Sequence, residues 1–147
     1  MTQQDVDKAT LIEGLNEDLA HEYQAIVMYN TYAAAVSGVH RQELSNFFLT
    51  EVADELEHAR FLAHKITALG GTPVTSGVEV DYTTNAREMV ENVAEAEAET
   101  IERYVTRMKQ AAAYGDYGLE AKLSDIIADE TEHKEEAEML LRGKWDE

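Results

Sequence analysis

No cysteine occurs in the 147 residues, which excludes disulfides, thiolate zinc sites and iron–sulfur centres. One proline and eight glycines leave few places for the chain to break. Basic residues are scarce: 12 Lys and Arg stand against 30 Asp and Glu, for a net charge of −18. Nucleic acid and anionic membranes need basic patches, so neither is expected as a partner. No run approaches ~18 apolar residues, so no membrane span is expected. The opening MTQQDVDKATL has no basic segment followed by an apolar stretch. No signal peptide is expected from it, and the cytoplasm is the default location.

The chain does have enough apolar residues, 44%, for one sizeable core in a single domain spanning 1–147. Their spacing is helical. Leu15, Leu19, Glu22, Ile26, Tyr29, Ala33 and Val36 step by fours and threes, which predicts a helix over about 4–36. Leu44, Phe48, Glu51, Glu55, His58, Leu62 and Leu69 predict a second over 40–69. After GGTPVTSGVEVDYTT, Val90, Val93, Glu97, Ile101, Tyr104, Met108 and Ala111 predict a third over 84–113. Leu119, Leu123, Ile126, Glu130, His133, Ala137 and Leu140 predict a fourth over 117–142. Short turns near Gly38 and Gly115 make antiparallel pairs of helices one and two, and of three and four. The stretch 70–83 reads as an extended crossover, which at ~3.3 Å per residue can run the length of a bundle. The fold class is therefore all-α: a four-helix bundle of two hairpins with one long crossover.

These stripes contain polar residues where the period calls for apolar ones: Glu22, Glu55, His58, Glu97, Glu130 and His133. A buried carboxylate is costly unless it is paired or binds a metal. Arg60, Arg103 and Arg107 fall off the stripes, so no inward cation is expected to pair with them. Shifting the sequence by 75 positions carries Glu22 to Glu97, Tyr29 to Tyr104, Asp54 to Asp129, Glu55 to Glu130 and His58 to His133. The chain is thus two copies of one helical hairpin. Packed about a pseudo-two-fold axis, the copies would bring both polar sets to one centre. Four carboxylates there balance the charge of two divalent cations. Glu and His at i and i+3 share a helix face, so one helix can offer an oxygen and a nitrogen to the same ion. Carboxylates with one imidazole per metal suit Fe(II) or Mn(II).

LNEDLAHEYQAIVMY, DELEHA, Glu97 and DETEH resemble the ferritin-like di-iron carboxylate proteins, bacterioferritins in particular, over about residues 11–142. The resemblance implies terminal ligands in Glu22 and Glu97, bridges in Glu55 and Glu130, and one iron each on His58 and His133. It implies a ferroxidase that oxidises Fe(II) with oxygen or hydrogen peroxide at two irons per subunit, in a homo-oligomer that stores the product. Bacterioferritins carry a haem-ligating Met directly after the second-helix Glu. Leu56 stands here, so no haem is expected. The chain stops at Glu147, so the short fifth helix of the bacterioferritin shell is expected to be missing. The alternative implied by the wider family is a rubrerythrin-like peroxide reductase or another di-metal oxidase without storage. Against rubrerythrin stand Ala94, where that family has a further Glu, and the lack of cysteine for its second iron site.

Other residues are read from position. Tyr29 and Tyr104 follow their glutamates by seven, close to the same face, where each hydroxyl could bond a Glu of the other hairpin. Asp54 and Asp129 could hold His133 and His58 across the pseudo-axis, since ligand histidines usually donate their other N–H to a carboxylate. Glu51 is a candidate way-station for iron, or a partly exposed acid at the end of the core. His21, His40 and His64 read as surface residues, and Glu57 as solvated. Trp145 is either half-buried or an anchor for the tail on a neighbouring subunit.

Overall fold

The computed structural model describes residues 6–145. Four helices account for most of them: α1 Lys8–Ala35, α2 Arg41–Ala68, α3 Ala86–Tyr114 and α4 Tyr117–Leu141. Their ends follow from the caps. Asp7 accepts from Thr10 N at 2.7 Å, which starts α1 at Lys8 and leaves residues 6 and 7 non-helical. The expected start near residue 4 lies outside the described residues. Asn85 accepts from Glu88 N and starts α3 two residues later than its period suggested. Asp116 accepts from Leu119 N to open α4. Gly115 ends α3 in the left-handed conformation, φ 96°, which glycine adopts without strain.

α1 packs along α2 and α3 along α4, while α1 also meets α3. The α1–α3 seam carries polar rungs: Arg107 on Asp18, Tyr104 on Glu22, Tyr29 on Glu97 and Asn92 on Tyr32. Residue numbers on α1 rise from rung to rung as those on α3 fall, so the two helices are antiparallel in fixed register. Two apolar clusters flank the middle of the bundle. One gathers Leu11, Leu15, Leu19, Leu62, Ile66 and Leu123; the other gathers Tyr32, Val36, Phe48, Met89, Val90 and Val93. Each buried side chain of this size contributes ~1.5–3 kcal/mol, which offsets the burial of charge between the clusters.

Among the described residues the crossover contains no strand. It lies on one face of α1. Asn16 donates to Thr72 O and accepts from Val74 N; Val78 N donates to Ala20 O; Gln24 donates to Glu79 O; Tyr32 donates to Asp81 O. Residues 16, 20, 24 and 32 are whole multiples of four apart, so a single strip of the helix holds the extended chain. Gly77 approaches α1 so closely that a Cβ would sit 2.8 Å from Gln24 N. At the other end, Trp145 is half-buried, edge-on to His40 and beneath Arg87. Among the described residues, no helix is long and apolar enough to cross a membrane.

Candidate metal centre

Glu22 is one of the carboxylates that α1 turns inward, α3 contributes Glu97, and α2 and α4 contribute Glu55 with His58 and Glu130 with His133. All six are buried. Their donor atoms form two overlapping groups, each within 4.8 Å: Glu22, Glu55, His58 and Glu130, and Glu55, Glu97, Glu130 and His133. Glu55 and Glu130 belong to both. Each group draws on three helices and on both hairpins.

The remaining bonds aim these side chains. Tyr104 donates to Glu22 Oε1 at 2.5 Å, and Tyr29 donates to Glu97 Oε1 at 2.6 Å, each from the other hairpin. This leaves the second oxygen of each glutamate, Glu22 Oε2 and Glu97 Oε2, buried without a partner. His58 Nε2 lies 3.1 Å from Asp129 Oδ2, and His133 Nε2 lies 3.0 Å from Asp54 Oδ2. The Nδ1 atoms therefore face inward: His58 Nδ1 is 2.9 Å from Glu130 Oε1, and His133 Nδ1 is 3.2 Å from Glu55 Oε1. Neither Nδ1 makes a hydrogen bond, nor does Glu55 Oε1 or either oxygen of Glu130. Orphaned buried polar atoms are rare in native proteins, and these seven gather at the centre. A set of four carboxylates and two imidazoles fits a pair of oxygen- and nitrogen-seeking divalent cations such as Fe(II) or Mn(II).

The electrostatics agree. Burial pushes Glu22 and Glu97 well above the usual carboxylate range, and neighbouring carboxylates push them further. Burial and the charge of Glu130 raise Glu55 to about 7. Burial alone would raise Glu130, but contacts from Glu97, His133, His58 and Glu55 outweigh it and hold it below its ordinary value. Burial would depress His58, yet the carboxylates around it raise it to about 9. His133 is raised in the same way by Glu130, Glu51 and Glu55. In the protein alone the crowding thus favours protonation of the glutamates and imidazoles, and cations would compete for the same atoms.

Three sequence expectations need correction. Glu51 is not a partly exposed acid: it is only 6% exposed, its Oε2 lies 2.5 Å from His133 Nε2, and with Asp54 and His133 it forms a third group of donors. His21 and His40 are half-buried, with His21 Nδ1 3.0 Å from Glu17 O; only His64 is exposed. Most important, Arg107 is not off the inner face. It is 4% exposed and ion-pairs with Asp18, its Nε donating to Oδ2 at 2.8 Å. The reason is width: the inward face of a packed helix spans ~100° or more, wider than a single row at threes and fours. Arg107 stands three residues after Tyr104, and Asp18 four before Glu22, so the i+3 and i+4 neighbours of the polar residues were the available signal. Glu57 faces solvent and pairs with Arg60.

The family model for the ferritin-like domain matches residues 12–143. A bacterioferritin of Desulfovibrio desulfuricans is 32% identical over 127 residues, covering 86% of this chain and 71% of the relative. The crystal structure of a ferritin-like, diiron-carboxylate protein of Bacillus anthracis is 52% identical, with a TM-score of 0.90, covering 96% of this chain and 99% of that one. The Desulfovibrio desulfuricans bacterioferritin structure, solved with its diiron site in different catalytic states, gives a TM-score of 0.84 at 28% identity, covering 92% and 80%. A Dps protein of Staphylococcus aureus shares the fold at 19% identity, with a TM-score of 0.88 over 95% and 99%. With its four-helix fold and two groups of buried Glu and His donors, the chain belongs to the ferritin-like diiron-carboxylate superfamily.

Proposed function

We propose that this protein is a ferroxidase, which takes Fe(II) as substrate, oxidises it with oxygen or hydrogen peroxide, and serves iron storage or detoxification as a homo-oligomer. The observation that carries the reading is the pair of donor groups sharing Glu55 and Glu130, with their inward atoms unsatisfied. On this reading Glu22 and His58 would hold one ion, Glu97 and His133 the other, and Glu55 and Glu130, which belong to both donor groups, would serve both. Two ferrous ions side by side supply two electrons together, so O2 and two protons give H2O2, or H2O2 and two protons give two waters, with two Fe(III). Manganese suits the same donors.

The chain's own groups prepare that event. Asp54 and Asp129 fix ring orientation and tautomer so that Nδ1 of each histidine faces the ions. Tyr29 and Tyr104 each occupy one oxygen of a terminal glutamate and direct the other inward. The side chains of Asp54 and Asp129 are 53% exposed, so the seam between α2 and α4 offers a way in from solvent. Glu51 lies beside that route, touching His133, and serves as a stop for ions entering or leaving.

The test adds excess Fe(II) to metal-free protein under air and follows ferric absorbance and particle size together. The expected result is rapid oxidation of two Fe(II) per chain, then continued turnover inside a large soluble assembly. Oxidation that stops at two per chain, with no large assembly, overturns storage and favours a peroxide reductase. Glu55→Ala or Glu130→Ala abolishes the fast phase; normal rates in either variant overturn the ligand assignment.

A further inference from the structure

Among the described residues, Asp18 and Arg107 form a buried charged pair outside the donor groups. Both are buried, and the guanidinium clasps the carboxylate at two points, Nε to Oδ2 at 2.8 Å and Nη2 to Oδ1 at 3.3 Å. Nη1 donates to Gln110 Oε1 at 2.6 Å. Gly14, one turn before Asp18, makes room: a Cβ there would lie 1.8 Å from Arg107 Nη1. We propose that Arg107 is a positioning residue for the Glu22–His58 half of the centre, its clasp on Asp18 setting where the Tyr104 hydroxyl holds Glu22. This rests on the two-ion reading above.

Three observations support it. Asp18 and Glu22 share a face of α1 at i and i+4, and Tyr104 and Arg107 share a face of α3 at i and i+3. The clasp and the Tyr104–Glu22 bond are therefore adjacent rungs on two continuous helices, only ~5–6 Å apart along the axis, with no flexible joint between them. Secondly, the Tyr104 bond decides which oxygen of Glu22 is left free, and that oxygen lies 3.8 Å from His58 Nδ1. A displacement of the rung would misplace a donor. Thirdly, the fold does not require ions here. The 75-residue shift carries Asp18 to Val93 and matches Arg107 with Tyr32, so the other half of the seam has an apolar side chain and a neutral rung. Replacing a buried ion pair by apolar residues is often neutral or stabilising, whereas a two-point clasp adds geometric definition. The effect should therefore fall on one ion of the two.

The probe is Co(II) alone, titrated anaerobically into the metal-free full chain and read by visible absorption and calorimetry. Wild type is expected to take up two Co(II) per chain. In the Asp18→Leu, Arg107→Met double variant, one Co(II) weakens about tenfold, the size of effect usual for groups that orient ligands, while the other keeps its affinity and the apo melting temperature does not fall. Unchanged affinity for both ions, or equal weakening of both, overturns the positioning role. Should that variant fail to fold, Arg107→Lys keeps the charge but cannot make the two-point clasp, and the same selective loss is expected. That loss should vanish in a Tyr104→Phe background, because no hydroxyl is left to steer Glu22; additive losses overturn the proposal. Fewer than two Co(II) on the wild type overturns the two-ion reading, an outcome distinct from equal affinities in wild type and variant.

Discussion

Glu97 illustrates what a metal-ready side chain does to a protein without metal. Its carboxyl is buried beside Glu130 and Glu55 and keeps one oxygen unpaired, so the apo protein carries crowding that cations would relieve. Glu97→Gln keeps the shape and removes an acid whose ionised form burial and Glu130 already disfavour. The expected result is an apo melting temperature higher by ~2–4 °C, about 1 kcal/mol in a chain of this size, read by calorimetry. With saturating Co(II) the order reverses, because wild type gains binding energy of ~2.7 kcal/mol at a hundred times Kd and the variant less. An apo variant less stable than wild type would identify Glu97 as a structural partner of Tyr29. Gly14→Ala tests a different contact. Its methyl would collide with a guanidinium held on three sides, and overpacking of this kind costs ~1–3 kcal/mol in urea denaturation.

Helices and their connections were legible in the sequence to different degrees. The stripes located all four helices because a core-facing row repeats whatever the neighbours do. Glu22, Glu55, His58, Glu97, Glu130 and His133 stood out because they interrupt those rows and recur 75 residues apart. Arg107 did not stand out because it lies beside the row at threes and fours, where the wider inward face still reaches, and Asp18 and Gly14 across the seam make room for it there. Glu51 lies on the second stripe, but its repeat partner is Ile126, so the 75-residue shift did not single it out, and its contact with His133 comes from another helix. Helix starts moved by up to a few residues because Asp7 and Asn85 cap from positions that hydrophobic spacing does not weigh. Asn85→Ala is expected to destabilise by ~1 kcal/mol, measured by urea denaturation. The path of the crossover was not legible either, since it is fixed by backbone groups bonded to Asn16, Ala20, Gln24 and Tyr32. Gly77→Ala places a methyl against helix backbone that cannot yield, and a loss of ~1–3 kcal/mol is expected by the same measurement.

The two hairpins meet at a polar centre, and each donor group takes residues from both. Metal should therefore act as a clamp on the assembly of the bundle. Hydrogen exchange with and without Co(II) is expected to show added protection around residues 22, 55, 97 and 130 together; protection confined to one hairpin would contradict the shared bridges. A net charge of −18 gives the apo protein a second sensitivity. Self-repulsion is screened by salt, with a Debye length of ~10 Å at 0.1 M, so apo stability should rise with ionic strength, and less so once cations occupy the centre. The crossover has a genetic consequence as well. In a symmetric pair of identical hairpins every substitution appears twice, once on each side of the axis. Joining the halves in one chain through residues 70–85 releases that constraint. Arg107 can then stand opposite Tyr32, and Glu51 opposite Ile126, as single changes. The strap along α1 is what allows one gene to write two different halves of a nearly symmetric site.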